Sequence, residues 1–204
     1  MTLVRNALKI ILAGVLGGSA AFPLRAPDFR HCSEERLAPA RPLFGPADTV
    51  SMFVIGDVML HERQMSYSYW PFLEHISGRM KAADITVANM EFPLGGKPYS
   101  GYPAFSAPDE YACYINSCGA NVFLAANNHI LDKGYTGIER TIHVYDSLEA
   151  AGAIRYAGIS ADSLDNAGRY PLIVNVRGVR IALLNFTYGT NNPVKRGKWP
   201  KVNL

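Results

Sequence analysis

Asp57, Glu91, Asn128, His129 and Asp132 are the side chains with which this sequence could do chemistry. Each stands where an apolar run gives way to polar residues. Val50 to Gly56 runs into Asp57, Asp84 to Ala88 runs into Asn89-Met90-Glu91, and Asn121 to Ala126 runs into Asn127-Asn128-His129 and then Asp132-Lys133-Gly134. Such a pattern marks a buried strand emerging into a functional loop. In open α/β sheets ligands sit at that carboxyl edge.

Carboxylates and amides are hard oxygen donors. With imidazole they suit Mn, Mg, Zn or Fe ions rather than soft-metal chemistry. A carboxylate set between two others can bridge two divalent ions about 3.5–4 Å apart, the arrangement that neutralises a phosphoryl transition state. On this reading Asp57, Glu91 and Asn128 hold a divalent metal ion, His129 protonates a leaving oxygen and Asp132 orients it. His61, Asn89 and Asn127 are further candidates beside them. The competing structural reading makes each strand-end Asp a turn residue and each Asn a cap or loop amide. Three such strand ends in one chain favour a site.

The elements that must position these residues alternate along the chain. A first strand starts near Val50. Helix-compatible spacing runs from Tyr67 to Lys81, with Phe72, Ile76 and Met80 at intervals of four. A second strand spans Ile85 to Ala88, and a Gly-, Pro- and Tyr-rich loop from Gly95 to Pro108 borders the site. Ser106 caps a helix that ends at Cys118-Gly119. The third strand follows, and then a helix from Thr136 to about Ala151, with Ile142, Tyr145 and Leu148 on one face and Gly152 as its stop. Ile154 to Ala157 is a short strand. Leu172–Val176 and Val179–Phe186 form a hairpin about Arg177-Gly178. Tyr188 to Pro193 is another strand-end loop, and Val194–Leu204 is a basic stretch without pattern. The order predicts an α/β sheet continuing into antiparallel strands.

The bulk numbers frame this. A chain of 204 residues, 49% hydrophobic and 18% charged, is one ordinary globular domain. Setting aside Arg5 and Lys9 leaves 18 basic against 17 acidic side chains, so nothing calls for nucleic acid as a partner. Residues 1–22 combine two early positive charges, a 13-residue uncharged run from Ile10 to Phe22 and the small Gly18-Ser-Ala-Ala21 step. That is the pattern of a secretory signal peptide or a short signal anchor, and it predicts export to the cell envelope or beyond. Residues 23–48, with five prolines, read as a tether. Residues 49–190 form the domain and 191–204 a basic tail. Cys32, Cys113 and Cys118 show no zinc or CxxC spacing and read as thiols. His31 is a solvated tether residue, and His75 and His143 are helix-surface residues.

Gly56-Asp57-Val-Met-Leu, Ala88-Asn89-Met-Glu91-Phe-Pro93-Leu and Ala126-Asn127-Asn128-His129-Ile-Leu-Asp132-Lys-Gly134 resemble, in order and spacing, the bacterial CapA (PgsA-type) capsule and poly-γ-glutamate biosynthesis family. The resemblance continues through Gly137-Ile-Glu-Arg-Thr141, Tyr156-Ala-Gly158 and Val179 to Thr187, covering about Val50 to Thr190. It implies a calcineurin-like metallophosphoesterase fold, an αββα sandwich of which this chain carries the N-terminal portion. It also implies a membrane polymer-synthase complex and an anionic polymer as partners. Asp57 matches the first metal ligand, Glu91 the acid of the second motif, and Asn128-His129 the Asn-His of the third. Two departures are visible. The common opening Asp-x-His is replaced by His61 four residues after Asp57, and no histidine follows His143 to supply the family's later motifs. Two other readings stand beside capsule synthesis: a phosphoesterase acting on a soluble ester, and a non-catalytic scaffold.

Overall fold

The computed structural model describes residues 49–204. The signal segment and most of the tether therefore lie outside the described residues. Among those described, no helix is long and apolar enough to cross a membrane.

Strand β1 (Met52–Val58) is followed by the single turn α1 (Glu62–Met65), helix α2 (Glu74–Ala82) and strand β2 (Ile85–Met90). Then come α3 (Asp109–Ser117), β3 (Val122–Leu124), the long α4 (Gly134–Ala150) and β4 (Arg155–Ala157). The chain continues through β5 (Ile159–Ser160), α5 (Ser163–Arg169), the hairpin β6 (Leu172–Val176) and β7 (Val179–Leu183), and β8 (Lys201–Val202). Strands β1 to β4 form one parallel sheet in the order β1-β2-β3-β4.

Side-chain alternation assigns the two faces of that sheet. Ala88, Met90, Phe123 and Tyr156 point to the helix side, where they pack with Tyr111 and Ile115 of α3 and Ile138, Ile142 and Tyr145 of α4. Thr86 shares that side and donates its hydroxyl to the Met80 carbonyl at the end of α2 (2.7 Å). Ile85, Val87, Val122 and Ala157 point the other way, into a second cluster with Leu172, Val174 and Val176 of β6. Each of those hairpin side chains contributes roughly 1.5–3 kcal/mol by burial. The layers are thus helices, parallel sheet and β-hairpin, and burial on both faces explains why the strands read as continuous apolar runs.

The hairpin turn falls where Arg177-Gly178 placed it, with φ of 49° and 83°. Successive positive φ values match the twist of a two-residue hairpin loop. Arg177 also reaches back to Asp84 at 2.6 Å and ties the turn to the start of β2.

Four expectations need correction. The helical spacing from Tyr67 materialises only from Glu74. Phe72 is 42% exposed rather than part of the apolar stripe, and Pro71 lacks the N–H that a continuing helix needs. Ser106 does not cap α3, whose N-cap is Pro108; the Ser106 hydroxyl instead donates to the Gly96 carbonyl at 2.8 Å and closes the preceding loop. Cys118 is a buried free thiol, whereas Cys113 is disulfide-bonded. The stretch from Val194 is not wholly without structure: Lys201–Val202 pairs antiparallel with Ile159–Ser160, and Val202 is buried. A two-residue strand is too short for alternation to reveal. Helix α5 went unread as well; Asp162 caps it by accepting from the N–H groups of Leu164 and Asp165.

Candidate functional site

Parallel pairing brings the carboxyl ends of β1, β2 and β3 to one edge. A register irregularity between Ile55 and Asp57 sets Asp57 opposite Asn89, while Asn89 lies opposite Leu124 on its other side. Gly56 is the residue absorbed there. Glu91 then leaves β2 with its N–H donated to the Val58 carbonyl at 3.0 Å, which holds the turn beside Asp57.

Asp57 Oδ1 accepts from Asn89 Nδ2 at 2.8 Å. Asn127, buried at the end of the third-strand segment, donates its Nδ2 to the Met90 carbonyl at 2.9 Å, and its Oδ1 accepts the His129 N–H at 3.1 Å. This side-chain-to-backbone turn swings the His129 ring back over the sheet edge. His129 Nε2 stands 4.0 Å from Glu91 Oε1. Its Nδ1 lies 2.7 Å from Asp132 Oδ2, which also accepts the Phe105 N–H at 2.8 Å. A carboxylate only accepts, so His129 carries a proton on Nδ1 and its Nε2 faces Glu91.

Burial pushes the Glu91 carboxyl above its ordinary range. The charge of Asp57 and a hydrogen bond shared with it push in the same direction, and His129 alone among the contributors opposes them. Glu91 thus sits near the Asp57 carboxyl and beside the His129 imidazole.

The structure joins Asp57, Asn89, Glu91, Asn127, His129 and Asp132 into one connected network. Asn128 borders it from outside, its Nδ2 3.5 Å from Asn191 Oδ1. The His61 ring meets the Phe105 ring edge-on at 5.0 Å, and Phe105 in turn meets the His129 ring at 4.7 Å. Phe105 is thus a wedge between the two histidines.

Residues absent from the sequence reading enter from the far end of the chain. Asn191 approaches His129 Nδ1 (3.0 Å) and Asp132 Oδ1 (3.4 Å), and Asn192 Nδ2 donates to the Leu131 carbonyl at 2.8 Å. The signal was present in the loop Tyr188 to Pro193, another polar stretch following a strand, but nothing local tied it to a partner.

The donor chemistry fits a small divalent cation. Asp57 and Glu91 bring two carboxyls to one edge, Glu91 raised first by burial and then by Asp57, and the His129 Nε2 stands 4.0 Å from Glu91. It is not a finished coordination shell: among the described residues, no three His, Cys, Asp or Glu side chains form a group that could hold a metal ion. Amide oxygens would have to complete the set.

Comparison with known proteins places the chain in a family. Residues 51–203 match the family model described as bacterial capsule synthesis protein PGA_cap, a family of metallophosphoesterase-like fold. Uncharacterized proteins y4sH and y4uA of Sinorhizobium fredii are each 31% identical over 147 residues, covering 68% of this chain and 30% of theirs. Capsule biosynthesis protein CapA of Bacillus anthracis is 27% identical over 150 residues, covering 69% of this chain and 35% of that protein. The chain spans about a third of the length of these curated relatives.

Proposed function

The chain belongs to the bacterial capsule synthesis protein family, and from that premise we propose that it serves the synthesis or export of an anionic capsular polymer at the cell envelope, with a divalent-metal site at Asp57, Glu91 and Asn128. The observation that carries the proposal is the Asp57–Glu91 pair. Its two carboxyls stand at parallel strand ends, next to the His129 imidazole, whose Nε2 is 4.0 Å from Glu91.

When bound, a divalent cation supplies positive charge against which a phosphoryl or acyl oxygen is polarised. The chain's own residues divide the remaining work. Asp57 and Glu91 hold the cation, and Asn128 adds an amide oxygen. Asp132 keeps the Nδ1 proton of His129 in place, so that Nε2 is the atom that takes up a proton and passes it to a leaving oxygen. The export signal read in residues 1–22 fits work outside the cytoplasm.

The polymer's charge is supported by a further feature. From residue 166 to 204 the chain has seven Lys or Arg and no Asp or Glu. Arg169 and Arg177 are consumed by ion pairs with acids upstream. Lys195, Arg196 and Lys198 follow directly on the Asn191-Asn192 loop beside the site, and Lys195 is anchored there by its N–H to the Tyr135 hydroxyl at 2.7 Å. A run of cations leading to the site favours a repeating carboxylate such as a γ-linked polyglutamate.

A second reading, a scaffold without catalysis, is favoured by the absence of a three-ligand group among the described residues. Elemental analysis and Mn²⁺ titration of the full chain, beside Asp57→Ala and Asn128→Ala variants, decide between the two. Bound metal in the wild type, lost in the variants, supports the metal site. A folded wild type that binds none leaves the scaffold.

A further inference from the structure

We propose that Lys133 and the turn Lys195–Lys198 make an anion subsite at the rim of the site loop, which grips an anionic group of the substrate, a carboxylate or a phosphate. The ligand class deepens the anionic-polymer reading and rests on it. The subsite itself stands on packing and charge, apart from any metal.

Lys133 follows Asp132 directly, and two glycines set the course of its half-buried side chain. A Cβ on Gly95 would fall 2.6 Å from Lys133 Cγ and 2.9 Å from its Cβ, and a Cβ on Gly137 would fall 2.5 Å from that same Lys133 Cβ. The stem thus lies in a slot that only glycines leave open, one on the loop bordering the site and one on α4. Both walls are fixed to each other. The Leu94 N–H donates to the Thr141 hydroxyl at 2.8 Å, and Arg140 donates to the Leu94 carbonyl at 2.7 Å while gripping both oxygens of Asp109. A lysine gives up as much rotamer freedom as any side chain when its stem is held. An ion pair would offset that loss, yet Lys133 makes none among the described residues. Two acids of the adjoining segments are already committed, Asp132 to Phe105 and His129, and Asp109 to Arg140.

The other cations come from the far end of the chain. Asn192 Nδ2 donates to the Leu131 carbonyl at 2.8 Å, and the Lys195 N–H donates to the Tyr135 hydroxyl at 2.7 Å. The loop is therefore tied down on both sides of Lys133. The Lys198 N–H closes the turn on the Lys195 carbonyl at 3.2 Å, and the Lys198 ammonium stands 4.2 Å from the centre of the Tyr135 ring. Tyr135 holds the turn at both ends, by a hydrogen bond and by cation–π attraction. Lys195, Arg196 and Lys198 also form no ion pair among the described residues, and α4 carries no acid in its first turn. Like charges gathered at one place repel, and an anion bound among them turns that cost into attraction. Scattered surface lysines keep their stems free; here a glycine slot and a tyrosine clamp hold them.

The test is calorimetric titration of the full, metal-free chain with two probes, a γ-linked glutamate oligomer and inorganic phosphate, at low and moderate salt. Lys133→Met keeps the stem and removes the charge. Gly95→Ala keeps the charge and fills the slot. Lys195→Gln/Lys198→Gln strips the turn of its ammonium groups. Each should weaken the bound probe at least about threefold at low salt, and the two charge-removing changes should also lessen its salt dependence. Arg180→Gln, which removes an exposed cation of β7, should bind as the wild type does. The subsite is overturned if Lys133→Met, the paired variant or a folded Gly95→Ala binds like the wild type, or if Arg180→Gln weakens binding as much as they do. Should Gly95→Ala not fold, Lys133→Met decides. Oligomer binding that survives every change leaves the polymer reading standing without this subsite. Phosphate binding that depends on these residues, with the oligomer refused, supports the subsite and removes the polymer reading alone. A wild type that takes up neither probe overturns the subsite, and the Mn²⁺ titration still decides the metal reading.

Discussion

Asn185 Oδ1 accepts the backbone N–H of Ala126 at 2.7 Å, across 59 residues of sequence. The bond lands immediately before Asn127-Asn128-His129, where β3 has ended and the backbone has no strand neighbour. The Asn185 side chain stands in for one, and the Asn203 side chain in turn donates to the Asn185 carbonyl at 3.2 Å.

Gly158 makes that contact feasible. Its φ is +100°, and a Cβ there would collide with Asn185 Oδ1 and with the Ala126 backbone. Gly158→Ala should therefore displace Asn185 and free the Ala126 N–H, at a cost of about 1–3 kcal/mol for the orphaned donor in addition to backbone strain. Urea unfolding would measure the loss. A midpoint equal to wild type would show that the site loop does not depend on this prop.

Asp132 is the buried hub of the site loop, with a side chain 2% exposed. Asp132→Ala should destabilise the chain by about 1–3 kcal/mol, because the Phe105 N–H and His129 Nδ1–H both lose their acceptor. Asp132→Asn should recover part of that, since one amide oxygen still accepts. Equal stability of the three proteins would mean that water replaces the carboxylate without cost.

Tyr145 is fully buried, and its hydroxyl has no hydrogen-bond partner among the described residues; burial drives its acidity far down. The ring does the packing, edge-on against Phe123 at 5.5 Å and tilted against Tyr156 at 5.3 Å. Tyr145→Phe keeps the rings and removes the unsatisfied group, so stability should stay level or rise by up to about 1 kcal/mol. A loss above that would reveal a hidden partner for the hydroxyl.

Asp84 ties the start of β2 to Ser51 and to Arg177 of the hairpin. Its carboxyl is lowered to about 2, first by the Ser51 N–H, then by the Ser51 hydroxyl and Arg177. The unfolded value is about 3.9. A lowered folded-state value means that its stabilisation is fully present above about pH 4 and is lost as pH falls through about 2. Asp84→Asn should flatten the acid limb of the stability profile within that window and leave its slope above pH 5 unchanged. An unaltered acid limb would assign it to other carboxylates. The group sits at the rim of the sheet, so the amplitude will be modest.

The local features of this chain were legible in its residues because they are local. The apolar runs into Asp57, Glu91 and Asn127, the Ile142–Tyr145–Leu148 stripe of α4 and the Arg177-Gly178 turn depend on periodicity and backbone preference within a few positions, and all appear in the fold. Parallel strand ends then brought the Asp57, Glu91 and His129 groups to one edge. Tertiary structure alone decided the pairings. It set His61 against the Phe105 ring, set Asn191 and Asn192 on a loop about sixty residues upstream, and turned Lys201–Val202 into a strand against Ile159–Ser160. Amides and two-residue strands carry no period. Their partners are chosen by the packing of distant elements, which no window of sequence contains.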